Sequence, residues 1–211
     1  MNFVQRFHKW HGTKPLTTSP PAQGTCAGRS IVIAAGARCV WDDLLLFGVD
    51  PFQGKEGWDI MTVNDIVCYL PCEIAHHYSN ANRLITHHLG VRRLRMPKGP
   101  EFTGQTHTCR TGAQNNWPWP GHGTSSLGAT YAALAMGYDR IVLCGVPLDN
   151  SGHFFDPPNG RYTFSRFEQE VGDVYGGVQY WTAVSPLFED KVRSMSGRTK
   201  ELLGAPDGWI E

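Results

Sequence analysis

The sequence has no excess of charge of either sign. Its 211 residues include 19 Lys and Arg against 19 Asp and Glu, which gives a formal net charge of zero at pH 7. Proteins that bind nucleic acids non-specifically usually carry a basic excess, so the composition gives no strong signal for a nucleic-acid partner. A hydrophobic content of 41% with 18% charged residues is typical of a globular chain with a substantial core.

Long apolar runs are also missing. No stretch approaches the roughly 20 residues that a membrane-spanning helix needs, and the first ten residues lack the apolar centre of a signal peptide. The six cysteines form no Cys-x-x-Cys pair, and Cys39, Cys68 and Cys144 lie inside apolar segments. Reduced, buried thiols are the ordinary state of such cysteines. We therefore expect a cytoplasmic protein without a membrane partner.

Two motifs of metal and dinucleotide sites are absent. The chain has no Asp-x-Asp motif, and Gly36 is the one glycine present of the three in a dinucleotide fingerprint. The pairs His76-His77 and His87-His88 suggest zinc, but adjacent residues on a strand point to opposite faces. No cysteine or carboxylate spacing completes a zinc pattern. The sequence thus predicts no metal site and no cofactor.

The most informative stretch is the block at residues 121–149. Thr124 or Ser125 can cap a helix there, because a side-chain oxygen accepts from the free N–H groups of the first turn. Gly137 is placed to end that helix, and the apolar run at residues 141–144 predicts a strand covered on both faces of a parallel sheet. The loops on either side then lie at the carboxyl edge of the sheet, where open α/β sheets bind ligands.

Two earlier segments repeat the strand-and-loop pattern. Residues 30–35 form a predicted strand followed by Gly36, which lets backbone approach a ligand. Residues 59–63 form a second strand that runs into Asn64, whose amide can contact a nucleotide or cap a helix at residues 66–70. These units predict the fold class: an α/β, Rossmann-like protein with a mostly parallel central sheet and helices on both faces.

The other segments are assigned from periodicity and turn residues. We predict a strand at 73–79, a helix at 81–89, an edge strand at 91–95, a long loop at about 97–123, and helices at 165–174, 180–192 and from about 199 to 204. In the long loop, Trp117 and Trp119 either stack on a sugar or base or pack locally. The polar residues at 193–198 form either a phosphate site or a solvated turn.

The domain prediction divides the chain at residue 30. Residues 1–29 are an irregular N-terminal lead-in, in which Phe3, Phe7 and Trp10 can form a short helix packed on the rest. Residues 30–211 are a single Rossmann-like nucleotide-binding domain.

Three pieces of sequence carry a family resemblance. They are residues 31–38 (Ile-Val-Ile-Ala-Ala-Gly-Ala-Arg), 61–65 (Met-Thr-Val-Asn-Asp) and 123–149. Only the third piece is specific. It combines a helix of small residues, an Ala-x-x-x-Gly-Tyr motif, a strand, and a glycine followed by hydrophobic residues before an Asp. Over about residues 30–150 the chain resembles small Rossmann-like proteins related to bacterial sialyltransferases, motility-accessory (Maf-type) flagellin glycosyltransferases, and similar phage and prophage proteins. It departs from them in lacking their Gly-Pro-Ser-Leu turn and in having Pro147 at a usually polar position.

The resemblance implies a metal-independent glycosyltransferase that uses a nucleotide-activated sugar, CMP- or UDP-linked. It also implies a histidine general base, which we assign to His153 or, as second choice, His122; histidine suits this role because its pKa lies near working pH. Arg38, Arg110 or Arg161 would offset charge on the leaving phosphate. The predicted nucleotide-binding residues are Gly36, Arg38, Asn64, Asp65, Thr124, Ser125, Ser126 and Asp149.

Two other functions are compatible with the same residues. One is a Mg-dependent pterin or nucleotide diphosphokinase-like enzyme, for which Asp65, Asp149 and Asp156 are the available carboxylates. The other is a non-catalytic phage accessory protein that binds a nucleotide or a protein partner. The sequence names neither the sugar nor the acceptor, and it is compatible with a homo-oligomer.

Overall fold

A computed structural model describes residues 2–12, 20–119, 124–149, 151–156 and 174–209, with the side chains of 174–176 excepted. In this described part, seven strands form one sheet in the order β5-β4-β3-β2-β1-β6-β7. The strands are β1 (Ser30–Ala34), β2 (Trp58–Val63), β3 (His76–Tyr78), β4 (Gln105–Thr108), β5 (Asn115–Asn116), β6 (Arg140–Cys144) and β7 (Val192–Ser194). All six neighbouring pairs are parallel.

Six α-helices connect these strands in the described residues. They are α1 (Phe3–His11), α2 (Val40–Leu46), α3 (Asn82–Arg95), α4 (Ser125–Met136), α5 (Val174–Val184) and α6 (Gly197–Leu203). Short 3-10 helices span Asn64–Cys68, Ser185–Phe188 and Asp207–Trp209.

The central strands are apolar on both faces, and the two faces belong to different cores. Ile31 and Ile33 of β1 pack in the core that includes α4, whereas Val32 and Ala34 pack in the core that includes α2. A strand buried on both sides needs a continuous apolar run, which explains why β1 and β6 lack alternation. The predicted parallel sheet with helices on both faces is confirmed.

Helix α4 follows the sequence prediction closely. Thr124 is its N-cap and accepts a hydrogen bond from the Leu127 N–H, and Gly137 ends it in the left-handed conformation (φ 95°). Nearly every residue of α4 is buried, because the small side chains allow a close approach to the sheet. At Gly128 a Cβ would collide with the hydroxyl of Tyr78.

Helix α1 lies within the segment predicted to be an irregular lead-in. Its residues Phe3 and Phe7 are buried, and the Phe7 ring contacts Trp119 and Tyr131 at centroid distances of 5.6 and 5.1 Å. Trp10, by contrast, is exposed. The predicted short helix is present, and Phe3 and Phe7 belong to the core around α4.

Two sequence predictions between residues 91 and 123 are wrong. Residues 91–95 continue α3 and are not an edge strand, because Arg92 turns inward and donates to the carbonyls of Val67, Leu70 and Cys72 at 2.6–3.0 Å. The predicted loop contains β4 and β5. Trp117 and Trp119 are buried and stack on each other at 5.0 Å, so local packing is the correct alternative and stacking on a ligand is not.

The C-terminal prediction is partly wrong. The predicted helix at 180–192 is replaced by α5, a 3-10 helix and β7, while the short helix before Gly204 is confirmed as α6. The polar residues at 193–198 were expected to form a phosphate site or a solvated turn. Instead, Ser194 lies in β7 and is fully buried. The predicted helix at 165–174 lies almost entirely outside the described residues.

Candidate active site

The strand order reverses direction at β1, which lies between β2 and β6. The chain proceeds outward from β1 through β2, β3, β4 and β5, and β6 then pairs with the opposite side of β1. Open α/β sheets bind ligands in the crevice outside the carboxyl ends of the strands at such a reversal. The segments that border this crevice follow β1, β2 and β6.

Gly36, just after β1, faces His153. The Phe154 N–H donates to the Gly36 carbonyl at 3.1 Å, and Ala37 forms an antiparallel bridge with His153. A Cβ on Gly36 would lie 3.5 Å from the His153 ring. The glycine therefore brings the segment 151–156 across the crevice, where we had expected close approach of a ligand.

Arg38 holds the same segment in place. Its backbone N–H donates to Gly152 O at 2.9 Å, Nε donates to Ser151 O at 2.9 Å, and Nη2 donates to Asp156 O at 3.3 Å. Several donors on one segment fix its position over Gly36. The structure thus gives Arg38 a contact with the His153 segment.

His153 is partly exposed beside a buried carboxylate. Its backbone N–H donates to Asp156 Oδ2 at 2.8 Å, and its ring Nδ1 lies 3.9 Å from the same oxygen. The side chain of His153 is 31% exposed and that of Asp156 is 5% exposed. The partly exposed ring of His153 therefore lies beside a carboxylate that is almost completely buried.

Asn64 follows β2 in an unusual backbone conformation. It has a φ of 54°, a left-handed value that non-glycine residues adopt at a cost and that is concentrated at functional sites. The 3-10 helix begins at Asn64 itself, so the alternative in which Asn64 caps a helix at 66–70 is wrong. Among the described residues the Asn64 side chain has no hydrogen-bond partner, which leaves its amide available to a ligand.

Asp65 has a defined partner on the protein side. Its Oδ1 lies 3.4 Å from Nε2 of the buried His88. The hydrogen bond from His88 lowers the pKa of Asp65 below its ordinary value, and His153 adds a smaller effect in the same direction. Asp65 therefore stays ionised, and it lies close enough to His153 for the two to interact.

The start of α4 and the loop after β6 meet at α5. Thr124 Oγ1 lies 2.8 Å from Ser126 Oγ and accepts from Trp181 Nε1 at 3.3 Å. A Cβ on Gly177 would lie 3.6 Å from Thr124 and 3.7 Å from Leu148, and Leu148 has a φ of 51°. This arrangement places Thr124 and Ser126 next to the β6 loop, with Ser125 as the first helical residue.

The remaining predicted residues are spread out. Asp149 is exposed and accepts from the Ser151 N–H at 2.9 Å. Arg110 donates to the Asn80 carbonyl at 3.1 Å, after β3. His122 and Arg161 lie outside the described residues. Among those the structure describes, no group of three or more His, Cys, Asp or Glu side chains could hold a metal ion.

Asp43 was missed by the sequence analysis. Its side chain is 3% exposed, and its Oδ2 accepts from the Gly145 N–H at 2.8 Å and from Ser196 Oγ at 2.7 Å. One buried carboxylate thus ties α2 to the loops after β6 and β7. The acidic pair at 42–43 is the available signal in the sequence, although two acids early in a helix ordinarily just complement the helix dipole.

Asn80 was also missed. It follows β3 closely, and its Oδ1 accepts from the Tyr78 hydroxyl at 3.0 Å and from Cys109 Sγ at 3.4 Å. With the oxygen held by two donors, the amide NH₂ group points away from them. The signal in the sequence was an asparagine after a strand, as at Asn64.

Comparisons with known proteins agree with this architecture. No family model and no curated protein sequence matches the chain. Solved structures of the sialyltransferase CstII from Campylobacter jejuni do match: the complex with the substrate analogue CMP-3FNeuAc has a TM-score of 0.51 at 12% identity, covering 84% of this chain and 86% of that one. A CST-II complex with a trisaccharide acceptor and CMP has a TM-score of 0.53 at 12% identity, with the same coverage.

These similarities establish a sialyltransferase-like fold for the chain. The resemblance to bacterial sialyltransferases is therefore confirmed at the level of the fold. A separate observation concerns the membrane: none of the helices in the described residues has the length and apolarity needed to span one.

Proposed function

We propose that the chain is a metal-independent glycosyltransferase that uses a CMP- or UDP-linked sugar. The observation that carries this proposal is the partly exposed His153, placed beside the buried Asp156 at the switch point of a sialyltransferase-like sheet. The solved structures with this fold include complexes with CMP and with an acceptor trisaccharide. The relation to Maf-type and phage proteins, indicated by residues 31–38, 61–65 and 123–149, is part of the same proposal.

The nucleotide would be held from two sides of the crevice. The Asn64 amide, after β2, has no hydrogen-bond partner within the described part of the chain, and amides donate and accept hydrogen bonds to a base or ribose. The N-terminus of α4, with Ser125 and Ser126, supplies N–H groups and hydroxyls to a phosphate, and the helix dipole favours negative charge there.

His153 would act as the general base. It takes the proton of an acceptor hydroxyl while that oxygen forms a bond to the anomeric carbon and the bond from this carbon to the phosphate oxygen breaks. Nδ1 lies on the Asp156 side of the ring, and in this proposal the ring takes the proton at Nε2. Asp156 stabilises the resulting imidazolium, as a carboxylate does in other His-carboxylate pairs. Arg38 positions this pair through Ser151 and Asp156.

Release of CMP or UDP from sugar donors tests the proposal without knowledge of the acceptor. The protein is incubated with CMP- and UDP-linked sugars in the presence of EDTA, with water or a panel of oligosaccharides as acceptor. We expect His153→Ala to lower the rate by about 10²–10⁴-fold, because positioned proton transfer contributes that much. The affinity for CMP or UDP, measured by thermal shift, is expected to stay unchanged.

The matched control is Phe155→Leu, which keeps His153 and replaces the ring stacked on it at 5.0 Å. Turnover that is equal in wild type and His153→Ala contradicts the assignment of the base. Turnover that depends strictly on Mg²⁺ contradicts metal independence and favours the diphosphokinase-like alternative.

A further inference from the structure

Asp65 is the end of a buried chain of hydrogen bonds on one face of β3. An ionised carboxylate accepts but cannot donate, so His88 Nε2 donates to it across 3.4 Å. The other ring nitrogen, His88 Nδ1, lies 3.4 Å from His77 Nε2. His77 Nδ1 in turn lies 3.1 Å from the Thr62 hydroxyl oxygen. The polar contacts therefore run without a break from Thr62 through two histidines to Asp65.

This chain holds the carboxylate in one orientation and leaves part of it open. His77 and His88 are buried, so their rings are locked by packing. The side chain of Asp65 is nevertheless 48% exposed, and no Lys or Arg of the described residues pairs with it. One oxygen is thus bound to the protein, and the carboxylate lies near enough to His153 for the two charges to interact.

The position of Asp65 in the fold indicates what it binds. β2 lies directly beside β1, and Asp65 is the second residue after β2 ends. In doubly wound sheets, an acidic residue at this place accepts hydrogen bonds from the hydroxyls of a nucleotide ribose. The three-glycine fingerprint that normally accompanies it is absent here, so the acidic position is present without the dinucleotide loop.

We propose that Asp65, oriented by His88 and His77, accepts hydrogen bonds from the ribose hydroxyls of the bound nucleotide. The inference rests on the proposed function for the presence of a nucleotide. It adds that the site distinguishes ribose from deoxyribose. Asp65 is a ligand-binding residue in this assignment, and His88 is a positioning residue that acts through it.

The test compares the affinities of CMP, 2′-deoxy-CMP and 3′-deoxy-CMP, with the corresponding UMP series as a second set. In the wild type we expect at least one deoxy analogue to bind about tenfold more weakly or worse, since a hydrogen bond to a charged group is lost. Asp65→Ala is expected to bind the ribo and deoxy forms equally. Asp65→Asn, which keeps the size of the side chain, should lose most of the discrimination as well.

Variants of His88 separate positioning from mere folding. His88→Met removes the donor to Asp65 and is expected to reduce the discrimination by several fold. In His88→Gln the amide N–H replaces Nε2–H, so discrimination should return. The matched control is Asp59→Asn, at the other end of β2, which should leave discrimination as in the wild type.

The failures of the two proposals are distinguishable. Binding of CMP or UMP without ribose discrimination, or discrimination that survives in Asp65→Ala and Asp65→Asn, overturns the inference and leaves the nucleotide site standing. An effect of Asp65→Ala on a CMP-linked sugar but not on CMP overturns the ribose assignment in favour of the sugar. Absence of binding to every nucleotide overturns both proposals.

Discussion

Two chains of hydrogen bonds run from opposite faces of β3, and they differ in how the carboxylate at the end of each is paired. On the face opposite to His77, the Trp117 Nε1–H donates to His107 Nδ1 at 3.1 Å. Indole nitrogen only donates, so the neutral ring of His107 donates from Nε2 to His76 Nδ1 at 2.9 Å. His76 Nε2 then donates to the Tyr138 hydroxyl at 2.9 Å, which donates to Asp59 Oδ2 at 2.5 Å.

The two chains share a design but end in different surroundings. Each passes through two buried histidines and ends on a carboxylate. Asp59 is also bound by Arg29 at 2.5 Å, and its side chain is 15% exposed. Asp65 has no such cation among the described residues and is 48% exposed at the carboxyl edge of the sheet. We call the first the closed chain and the second the open chain.

The difference teaches that buried histidines in this fold are not in themselves a sign of chemistry. Both chains satisfy polar groups whose unmet hydrogen bonds would be costly. The open chain differs because its terminal charge is left partly uncompensated beside the candidate site. If Asp65 binds the ribose as we propose, the location and incomplete pairing of the carboxylate, and not the histidines, distinguish the ligand-binding chain.

The largest loss of stability is expected at acid pH, because protonation of the histidines affects both chains. Burial lowers the pKa of His76 to about 4 and that of His77 to about 3. Below the ordinary pKa of 6.5 the unfolded chain therefore binds protons that the folded chain does not bind. The free energy of unfolding should be constant above about pH 7 and fall as the pH drops from 6.5 toward 4, by on the order of 1 kcal/mol per pH unit for each histidine.

Urea denaturation at a series of pH values measures this slope. His76→Gln and His77→Gln should each flatten it, because each removes one titrating group from one chain. A slope that is the same in wild type and in both variants would show that other groups control acid unfolding.

An intermediate loss of stability is expected from Tyr138→Phe, which interrupts the closed chain. The change leaves the His76 Nε2–H without an acceptor and Asp59 without its hydroxyl donor, which should lower the free energy of unfolding by about 1–3 kcal/mol. Ribose discrimination should remain, because the open chain is intact. Chemical denaturation and nucleotide titration of the same sample check both statements.

His88→Met provides the reciprocal measurement. It should lose ribose discrimination, whereas Tyr138→Phe should keep it. If cutting the closed chain at Tyr138 changed ribose discrimination as much as cutting the open chain at His88 does, the distinction between a structural and a functional chain would fail.

Local signals account for the parts of the molecule that the sequence predicted well. Thr124, Gly137 and the apolar strand at 141–144 are set by capping, positive φ and burial, all of which act over a few residues. The opposite orientations of His76 and His77 likewise follow from the alternation of side chains along a strand. The prediction of Asn64 at the carboxyl edge has the same origin.

The parts that the sequence did not predict depend on contacts between distant residues. Tyr138 and Asp59 are 79 positions apart, and Asp43 accepts from groups 102 and 153 positions away. Helix α3 continues past Arg92 because the Arg92 side chain donates hydrogen bonds to carbonyls of another segment. No periodicity within a window of ten or twenty residues contains these partners, so they become visible only when the fold is known.

The smallest change in the free energy of unfolding is expected from replacing Arg29. This variant tests whether the cation at the end of the closed chain is needed to hold its carboxylate. Arg29 is 55% exposed, and exposed ion pairs contribute about 0–1 kcal/mol. Arg29→Ala should therefore lower the free energy of unfolding by less than about 1 kcal/mol, and 1 M salt should remove most of the difference. Arg29→Lys is the control that keeps the charge. Asp59 keeps its bond from Tyr138 in every case, just as Asp65 keeps its bond from His88 although no described Lys or Arg pairs with it. If Arg29→Ala lowered the free energy of unfolding as much as Tyr138→Phe does, a chain of this kind would need a cation at its end. The open chain could then not hold Asp65 in the orientation that ribose binding requires.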